Sequence, residues 1–359
     1  MQTYSTEFLQ QIVNPLTIEK QNGSNSYLLV IATSYAFKLS SIDKLIPHHK
    51  ALSEISDTIS FYNTGIDEGL PKNKAECIVL GKNIIKHETD KQVVSFSINQ
   101  IKKSLTVYPK RSWIKQGKEC LITVNGNLES IFMSYENTYG GKDYQLNPNG
   151  IGFYASTPDD KDELLIPQVE LSTSPITSSS QKKVIPGSFS PIQIDWNYRS
   201  RHYGRINKQN HPAIPKDTKE HFFQCSPLDQ QQDNPFVAGD KFTINGMSKN
   251  QTITGQLPNY SARIFIMNSG KKLIEHEALL DTIIFFPNED IGFATFRAKI
   301  PIKTYDAKEH KAYIFALDHA ETSLQKNIAE YENLLDTDSE TESLLTDIEK
   351  TLLPSYFNA

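Results

Sequence analysis

Four carboxylates set among aromatic side chains are the first residues of this sequence that invite a chemical reading. Glu136, Asp143, Glu170 and Asp195 fall in a stretch that also holds Tyr135, Tyr139, Tyr144, Trp196 and Tyr198. Two carboxyl groups flanking a sugar bond, with rings to stack on the sugar, are the machinery of glycoside hydrolysis. A carbohydrate-active hydrolase using loop carboxylates is therefore one reading, although nothing in the spacing brings any two of them together. Tyr139-Gly140-Gly141 and Asn147-Pro148-Asn149-Gly150-Ile151-Gly152-Phe153 resemble phosphate-cradling loops only at first sight. A cradle is followed by a Lys-Ser/Thr pair or opens a helix. Neither run does so, and the plainer role for these glycines is positive backbone φ in tight turns.

The remaining candidates give less. Of the nine histidines, His48 and His49 are adjacent, and no two share the HxH or HExxH spacing of a metal site. Cys77, Cys120 and Cys225 lie far apart without a CxxC pair, which reads as reduced, buried thiols. No GxSxG elbow occurs. The expectation is no catalytic residue, no metal, no cofactor and no nucleotide. Arginines beside aromatic residues are more informative: Arg111 stands two before Trp113, Arg199 three after Trp196, and Arg297 directly after Phe296. Such pairs serve buried bidentate contacts with carboxylates, and they also dominate protein interfaces. Both uses stay open at this point.

These residues need elements to hold them, and the patterns are mostly those of strands. Ser26 to Ala32 is rich in strand formers, and Tyr35 to Leu39 either resumes that strand or pairs with it. Gln92–Ile98 and Ser104–Tyr108 flank a polar link, Asn99 to Lys103, and predict a hairpin. Tyr260–Met267 and Lys271–His276 flank Asn268-Ser269-Gly270, while Thr282–Phe286 and Ile291–Phe296 flank Pro287-Asn288-Glu289-Asp290. Short strands without alternating helices predict a mainly β fold, a sandwich or barrel of antiparallel sheets with long ordered loops. The loops concentrate between Tyr135 and about Pro235, with Ser172 to Lys183 the most linker-like piece. From Ala307 the period changes: Leu317, Leu324, Ile328, Tyr331 and Leu335 form a helical stripe, and Leu344, Leu345, Ile348 and Leu352 a second. We divide the chain into a β domain over 1–304, either single or split into subdomains at about 1–134 and 135–304, and a helical acidic tail over 305–359.

Charge excludes some partners. The chain has 359 residues with 37 basic and 42 acidic side chains, and residues 305–359 hold twelve of the acidic and four of the basic ones. The body is left near neutral, which offers no basic surface for nucleic acid. The acidic face of the tail stripe is wrong for a membrane surface. Met1 to Pro15 lacks a basic start followed by a long apolar stretch, and the run Tyr27 to Ala32 is too short to span a bilayer. A cytoplasmic protein without membrane insertion is expected.

A series of segments also carries a family resemblance. Lys74-Ala75-Glu76-Cys77-Ile78-Val79-Leu80-Gly81 is followed by Ser104-Leu105-Thr106-Val107-Tyr108-Pro109-Lys110-Arg111-Ser112-Trp113. Then come Ser134-Tyr135-Glu136-Asn137-Thr138-Tyr139-Gly140-Gly141, Asn147 to Phe153, Pro167-Gln168-Val169-Glu170, and Trp196-Asn197-Tyr198-Arg199. Pro212-Ala213-Ile214-Pro215-Lys216-Asp217, Phe222 to Gln231, Leu280-Asp281-Thr282 and Phe296-Arg297 complete the order. Together these resemble a bacterial family of unknown-function-domain proteins encoded beside type VI secretion spike (VgrG) and PAAR effector genes. Pro109-Lys110 stand where that family usually has Gly-Asp, Thr218 replaces a common Phe, and Phe296 a Trp.

The resemblance implies an adaptor or chaperone that binds a secretion effector, or its spike-docking domain, and promotes loading onto the spike protein without catalysis. It supplies no catalytic residue. Our own candidates for partner contact, which suit a structural role equally, are Arg111, Trp113, Tyr139, Gly140, Gly141, Asn147, Trp196 and Arg199; the tail helix, which is not part of the family pattern, either caps the domain or offers a second surface. A structural component that leaves the cell with the spike is the remaining alternative.

Overall fold

Fourteen residues, Asn25–Lys38, form the longest strand of the structure, and their composition explains its place. The run is rich in β-branched and aromatic residues with no glycine or proline, and successive residues from Leu29 to Ala36 are buried on both faces. A strand covered on both sides reads as a continuous apolar stretch rather than an alternation. Tyr35 to Lys38 continue this strand; they do not fold back on it. The structure is a computed structural model that describes residues 9–19, 25–62, 71–116, 119–153, 164–178, 184–192, 213–214, 223–267, 273–302 and 313–318.

The described residues form strands β1 to β21, numbered along the chain, in five sheets. The largest has the order β13-β1-β2-β20-β19-β4-β14, with β3 also on β2. Its members are β1 (Leu9–Glu19), β2 (Asn25–Lys38), β3 (Leu45–Ile46), β4 (Ala75–Val79), β13 (Ala213–Ile214), β14 (Gln231–Gln232), β19 (Leu279–Phe286) and β20 (Ile291–Ile302). The pairing is antiparallel except for β1 with β13 and β19 with β4. The second sheet, order β12-β6-β5-β15-β16, is antiparallel throughout. It comprises β5 (Gln92–Ile98), β6 (Ile101–Val107), β12 (Val169–Leu171), β15 (Lys241–Asn245) and β16 (Thr252–Gln256).

One hydrophobic core joins these two sheets, with Tyr35, Phe37, Val79, Ile283 and Phe285 from the first meeting Phe96, Leu105, Phe242 and Ile244 from the second. The rings of Phe242 and Phe285 lie 4.7 Å apart between centroids. None of the sheets closes on itself, so the expected mainly β fold takes the sandwich form.

The opposite face of the large sheet is covered by two short helices that the sequence pattern did not announce, α1 (His48–Glu54) and α2 (Ser56–Tyr62). Ala51 and Ile55, four apart, pack with Ile78, Ile284, Phe286 and Phe293. A third sheet, order β18-β17-β21, packs Ile264 and Ile266 on Leu29, Ile31, Ala298 and Ile300. Its strands are β17 (Ser261–Met267), β18 (Leu273–Glu277) and β21 (Tyr313–Asp318). β21 corrects the start of the expected tail. Tyr313-Ile314-Phe315 are strand formers and pair with β17, so Leu317 belongs to a strand and not to a helical stripe. The remainder of that stripe lies outside the described residues.

The predicted hairpins appear as β5–β6, β17–β18 and β19–β20, the first turning through Asn99 at φ 51 and the last through Asp290 at φ 60. Two further sheets draw strands from the loop-rich part of the chain. One has the order β11-β7-β8, from β7 (Lys110–Gln116), β8 (Glu119–Asn125) and β11 (Leu164–Ile166). The other is the parallel pair β9 (Tyr139–Gly140) and β10 (Ile151–Gly152).

His48, at the start of α1, gives the fold a pH dependence. Its ring is buried edge-on to Phe293 at 5.4 Å, and its Nε2 lies 3.4 Å from the Ser34 hydroxyl. Burial, with His49 adding repulsion, pushes its pKa down to about 4. The unfolded chain titrates near 6.5, so between those values it binds the proton that the folded chain refuses. Stability is therefore whole above that window and falls, by up to about 3 kcal/mol, as pH drops through it. Urea denaturation at pH 7 and pH 4.5 measures this loss. His48→Phe should remove that part of the slope; an unchanged slope would assign it elsewhere.

Candidate functional site

The lobe that carries the resemblance is organised by a buried ion pair. On β7, side chains alternate, so Arg111 and Trp113 share the face turned inward. Arg111 Nη2 meets Glu170 Oε1 at 2.5 Å and donates to the Pro167 carbonyl at 2.9 Å. Its guanidinium stacks 3.6 Å above the Tyr108 ring. The other carboxylate oxygen, Oε2, accepts from the Ile176 amide at 3.0 Å. The arginine thus ties β7 to β12 and to the residues before it, while Glu170 holds the loop after it, and a lysine at position 111 would lack the planar fork. Trp113 packs beside this pair with Tyr139, Ile166, Ile176 and Val184 in a satellite core.

Asn147 holds the two glycine turns. It is fully buried, and its amide Nδ2 donates to the carbonyls of Tyr135 (2.8 Å) and Tyr139 (3.1 Å) and to the Thr138 hydroxyl (3.0 Å). Backbone from Gly140 and Gly150 runs so close to Asn147 that a Cβ at either glycine would collide with it. These glycines are therefore spacers around an asparagine peg and not a phosphate cradle.

A second ionic group lies in the large sheet. Lys72 and Glu76, both fully buried, form an ion pair at 2.9 Å. Glu76 Oε2 also accepts from the backbone amides of Cys225 (2.8 Å) and Ser226 (2.9 Å) and from Gln224 Nε2 (3.2 Å). Burial opposes the charge, but Lys72 and the two amides outweigh it and hold the Glu76 carboxyl below its ordinary range. Asp281 and Arg297 pair nearby, where burial pushes the Asp281 carboxyl up even beside the arginine. Asp281 is the extra residue of a β-bulge, since Leu280 faces Phe296 and Thr282 faces Thr295.

The structure thus brings Arg111, Trp113, Tyr139, Gly140 and Asn147 together, all buried, with Gly141 partly buried beside them. Trp196 and Arg199 lie outside the described residues, as does Asp195. Of the loop carboxylates, Glu170 spends both oxygens on Arg111 and Ile176, while Glu136 and Asp143 are exposed. Among the described residues no group of three His, Cys, Asp or Glu side chains is placed to hold a metal, and no helix is long and apolar enough to cross a membrane.

What the sequence reading missed is on the outside of the same lobe. Ile114, Leu121, Ile122, Val124 and Leu165 are all exposed on the three-stranded sheet. Cross-strand partners share a face, and the register divides them. Ile114 faces Leu121 while Leu165 faces Ser112, which puts Ile114, Leu121 and Leu165 on the outer face. Ile122 opposite Trp113 and Val124 opposite Arg111 lie on the inner face, exposed at the rim. β8 ends the sheet, and no strand pairs with its outer edge among the described residues. Leu146 at 61% and Ile185 at 62% exposure add two more apolar side chains from the adjoining loops. Adjacent Leu121 and Ile122, one on each face of a single strand, were the sequence signal: both cannot enter one core.

A family model described as an uncharacterized protein conserved in bacteria (DUF2169) matches residues 26–297. That span runs from β2 to Arg297 and includes all three of these ion pairs, the asparagine peg and the apolar sheet. No curated protein and no solved structure matches the chain.

Proposed function

The chain belongs to the DUF2169 family of uncharacterized bacterial proteins, and from that premise we propose that it is a non-catalytic adaptor that binds a type VI secretion effector, or the effector's spike-docking domain, and promotes its loading onto the spike. The observation that carries the binding role is the three-stranded sheet with apolar side chains exposed on both faces. Concentrated exposed apolar area is what a partner covers. Behind it, the ionic and asparagine contacts rigidify the lobe, so the surface is presented with little ordering cost. The secretion context rests on the resemblance of the ordered segments from Lys74 to Arg297 and on nothing chemical in the site.

Binding of a client to the folded state also accounts for a chaperone effect, since a ligand of one state draws the population toward it. The test is co-expression with the neighbouring spike and effector genes, followed by affinity capture and size-exclusion chromatography. A stable complex, with loss of effector solubility when this chain is left out, is the expected result. A chain that elutes alone in the presence of both products defeats the proposal.

A further inference from the structure

A buried lysine and cysteine in contact form a reactive pair that the adaptor reading does not use. Lys72 precedes β4 and Cys225 precedes β14, 153 residues apart in the chain. Lys72 Nζ donates to Cys225 Sγ at 3.2 Å, and both side chains are buried. Glu76 fixes the two partners at once. Its Oε1 takes the Lys72 ammonium at 2.9 Å, while its Oε2 accepts the backbone amide of Cys225 itself at 2.8 Å. The Phe223 carbonyl also accepts from Lys72 Nζ, which further restrains the amine beside the sulfur.

The chemistry open to such a pair is oxidative. Reactive cysteines sit beside lysine or arginine, and the first product of their oxidation is a sulfenic acid. A sulfenic acid condenses with a nearby nitrogen to give a sulfenamide. Here the nitrogen in place is that of Lys72. Burial opposes its charge, but Glu76 outweighs burial and holds the Lys72 pKa above its ordinary value, so the resting group is an ammonium. Attack on the sulfur therefore begins with transfer of one proton to Glu76 Oε1. We propose that Lys72 and Cys225 form a modification site, which hydrogen peroxide closes into a sulfenamide cross-link and a thiol reductant opens.

Two steps balance the atoms. One hydrogen peroxide takes two electrons from the Cys225 sulfur, giving the sulfenic acid and releasing water. The Lys72 amine then attacks that sulfur: the S–N bond forms, the S–O bond breaks, and the departing hydroxyl takes a proton from the nitrogen to leave as a second water. Glu76 keeps the proton it received, so the two buried charges vanish together. Dithiothreitol returns the thiol and the amine and is itself oxidised to its cyclic disulfide. Because both groups are buried, the oxidant must be small and neutral, as hydrogen peroxide is. Cys77 supplies the contrast. It lies in the core between the two large sheets, where burial pushes its thiol pKa well up, and thiols of that kind are inert.

The test is peroxide treatment of the full chain carrying Cys120→Ser, followed by denaturation, alkylation and tryptic peptide mapping by mass spectrometry. The expected product joins the peptide carrying Lys72 to the one carrying Cys225, two hydrogens lighter than their sum, with no cleavage after Lys72. Dithiothreitol before digestion should restore both peptides. Chain unfolded in urea before the peroxide is added should give at least about tenfold less product, because the folded contact supplies the proximity. Cys225→Ser should abolish the product and Cys77→Ser should leave it.

Four results overturn the proposal. Cys225 recovered as its sulfinic acid, beside an unmodified Lys72, means that the sulfur oxidises without closing. Cys225 recovered as an unmodified thiol means that peroxide does not enter. A linked product that keeps one oxygen replaces the direct S–N bond with an N–O–S bridge. Equal yield from the urea-unfolded chain removes the fold from the reaction. None of these readouts requires a client, so the outcome is independent of the adaptor reading.

Discussion

Glu76→Gln should cost the protein about 3–5 kcal/mol, the largest effect expected of any single isosteric change in this chain. The substitution keeps the volume and removes the charge that Lys72 faces at 2.9 Å, in a place where both side chains are fully buried. It also turns one acceptor oxygen into a donor, although the site holds the amides of Cys225 and Ser226, Gln224 Nε2 and an ammonium, all of which donate. An uncompensated buried charge and an unmade hydrogen bond are each among the few causes of large destabilisation. Urea denaturation reads the result, and Lys72→Met combined with Glu76→Gln should recover part of it by removing the orphaned ammonium. A loss below about 1 kcal/mol would mean that the site is wet, because water would then take the carboxylate's place. The sign of the acid response follows as well. The folded-state pKa is depressed, so this contribution is present above the ordinary carboxylate range and is lost as pH falls through the folded value.

The second large effect is at the signature lobe. Arg111→Met leaves Glu170 with the Ile176 amide alone, and should lower stability by about 3–5 kcal/mol. Arg111→Met with Glu170→Leu should restore most of it, because two apolar side chains of similar size suit the buried site beside Tyr108 and Trp113. The double-mutant cycle therefore yields a coupling of several kcal/mol. Additive single effects would place the two side chains out of contact. Because Arg111 stands on β7, the central strand of the apolar sheet, binding of a client under the adaptor proposal should weaken in Arg111→Met and return in the double variant. Parallel recovery of stability and binding would identify Arg111 as a positioning residue whose role in any interface is to hold β7 in place.

What could be read from the sequence divides along a physical line. The hairpins β5–β6 and β19–β20 were legible because each is local: alternating side chains, then a turn whose Asn99 or Asp290 tolerates positive φ. The mainly β class was legible for the same reason. Arg111, Trp113, Tyr139 and Asn147 stood out by type and order, and they do come together. Their work was not legible, because a buried arginine and an interface arginine have the same neighbours in sequence, and only Glu170 across the lobe tells them apart. β8 escaped notice because apolar residues on both faces break the alternation by which a strand is recognised. The expected helical stripe began at Leu317 because strand formers and a helical period overlap there, and β17 decides in favour of the strand. The helices α1 and α2 are seven residues each and are broken at Ile55, so neither is long enough to show a sustained helical period.

The order of the large sheet bears on how the chain reaches this state. β2 lies between β1, its neighbour in sequence, and β20, whose residues are synthesised near the other end, with Leu29 paired to Ile300 and Tyr35 to Ala294. β4 waits likewise for β19. A nascent chain therefore leaves one edge of β2 open, with β1 paired to the other, until nearly all of the family-matched region has left the ribosome. Such long-range closure is slow, so folding should lag synthesis and the newly made protein should depend on general chaperones until β20 and β19 are in place.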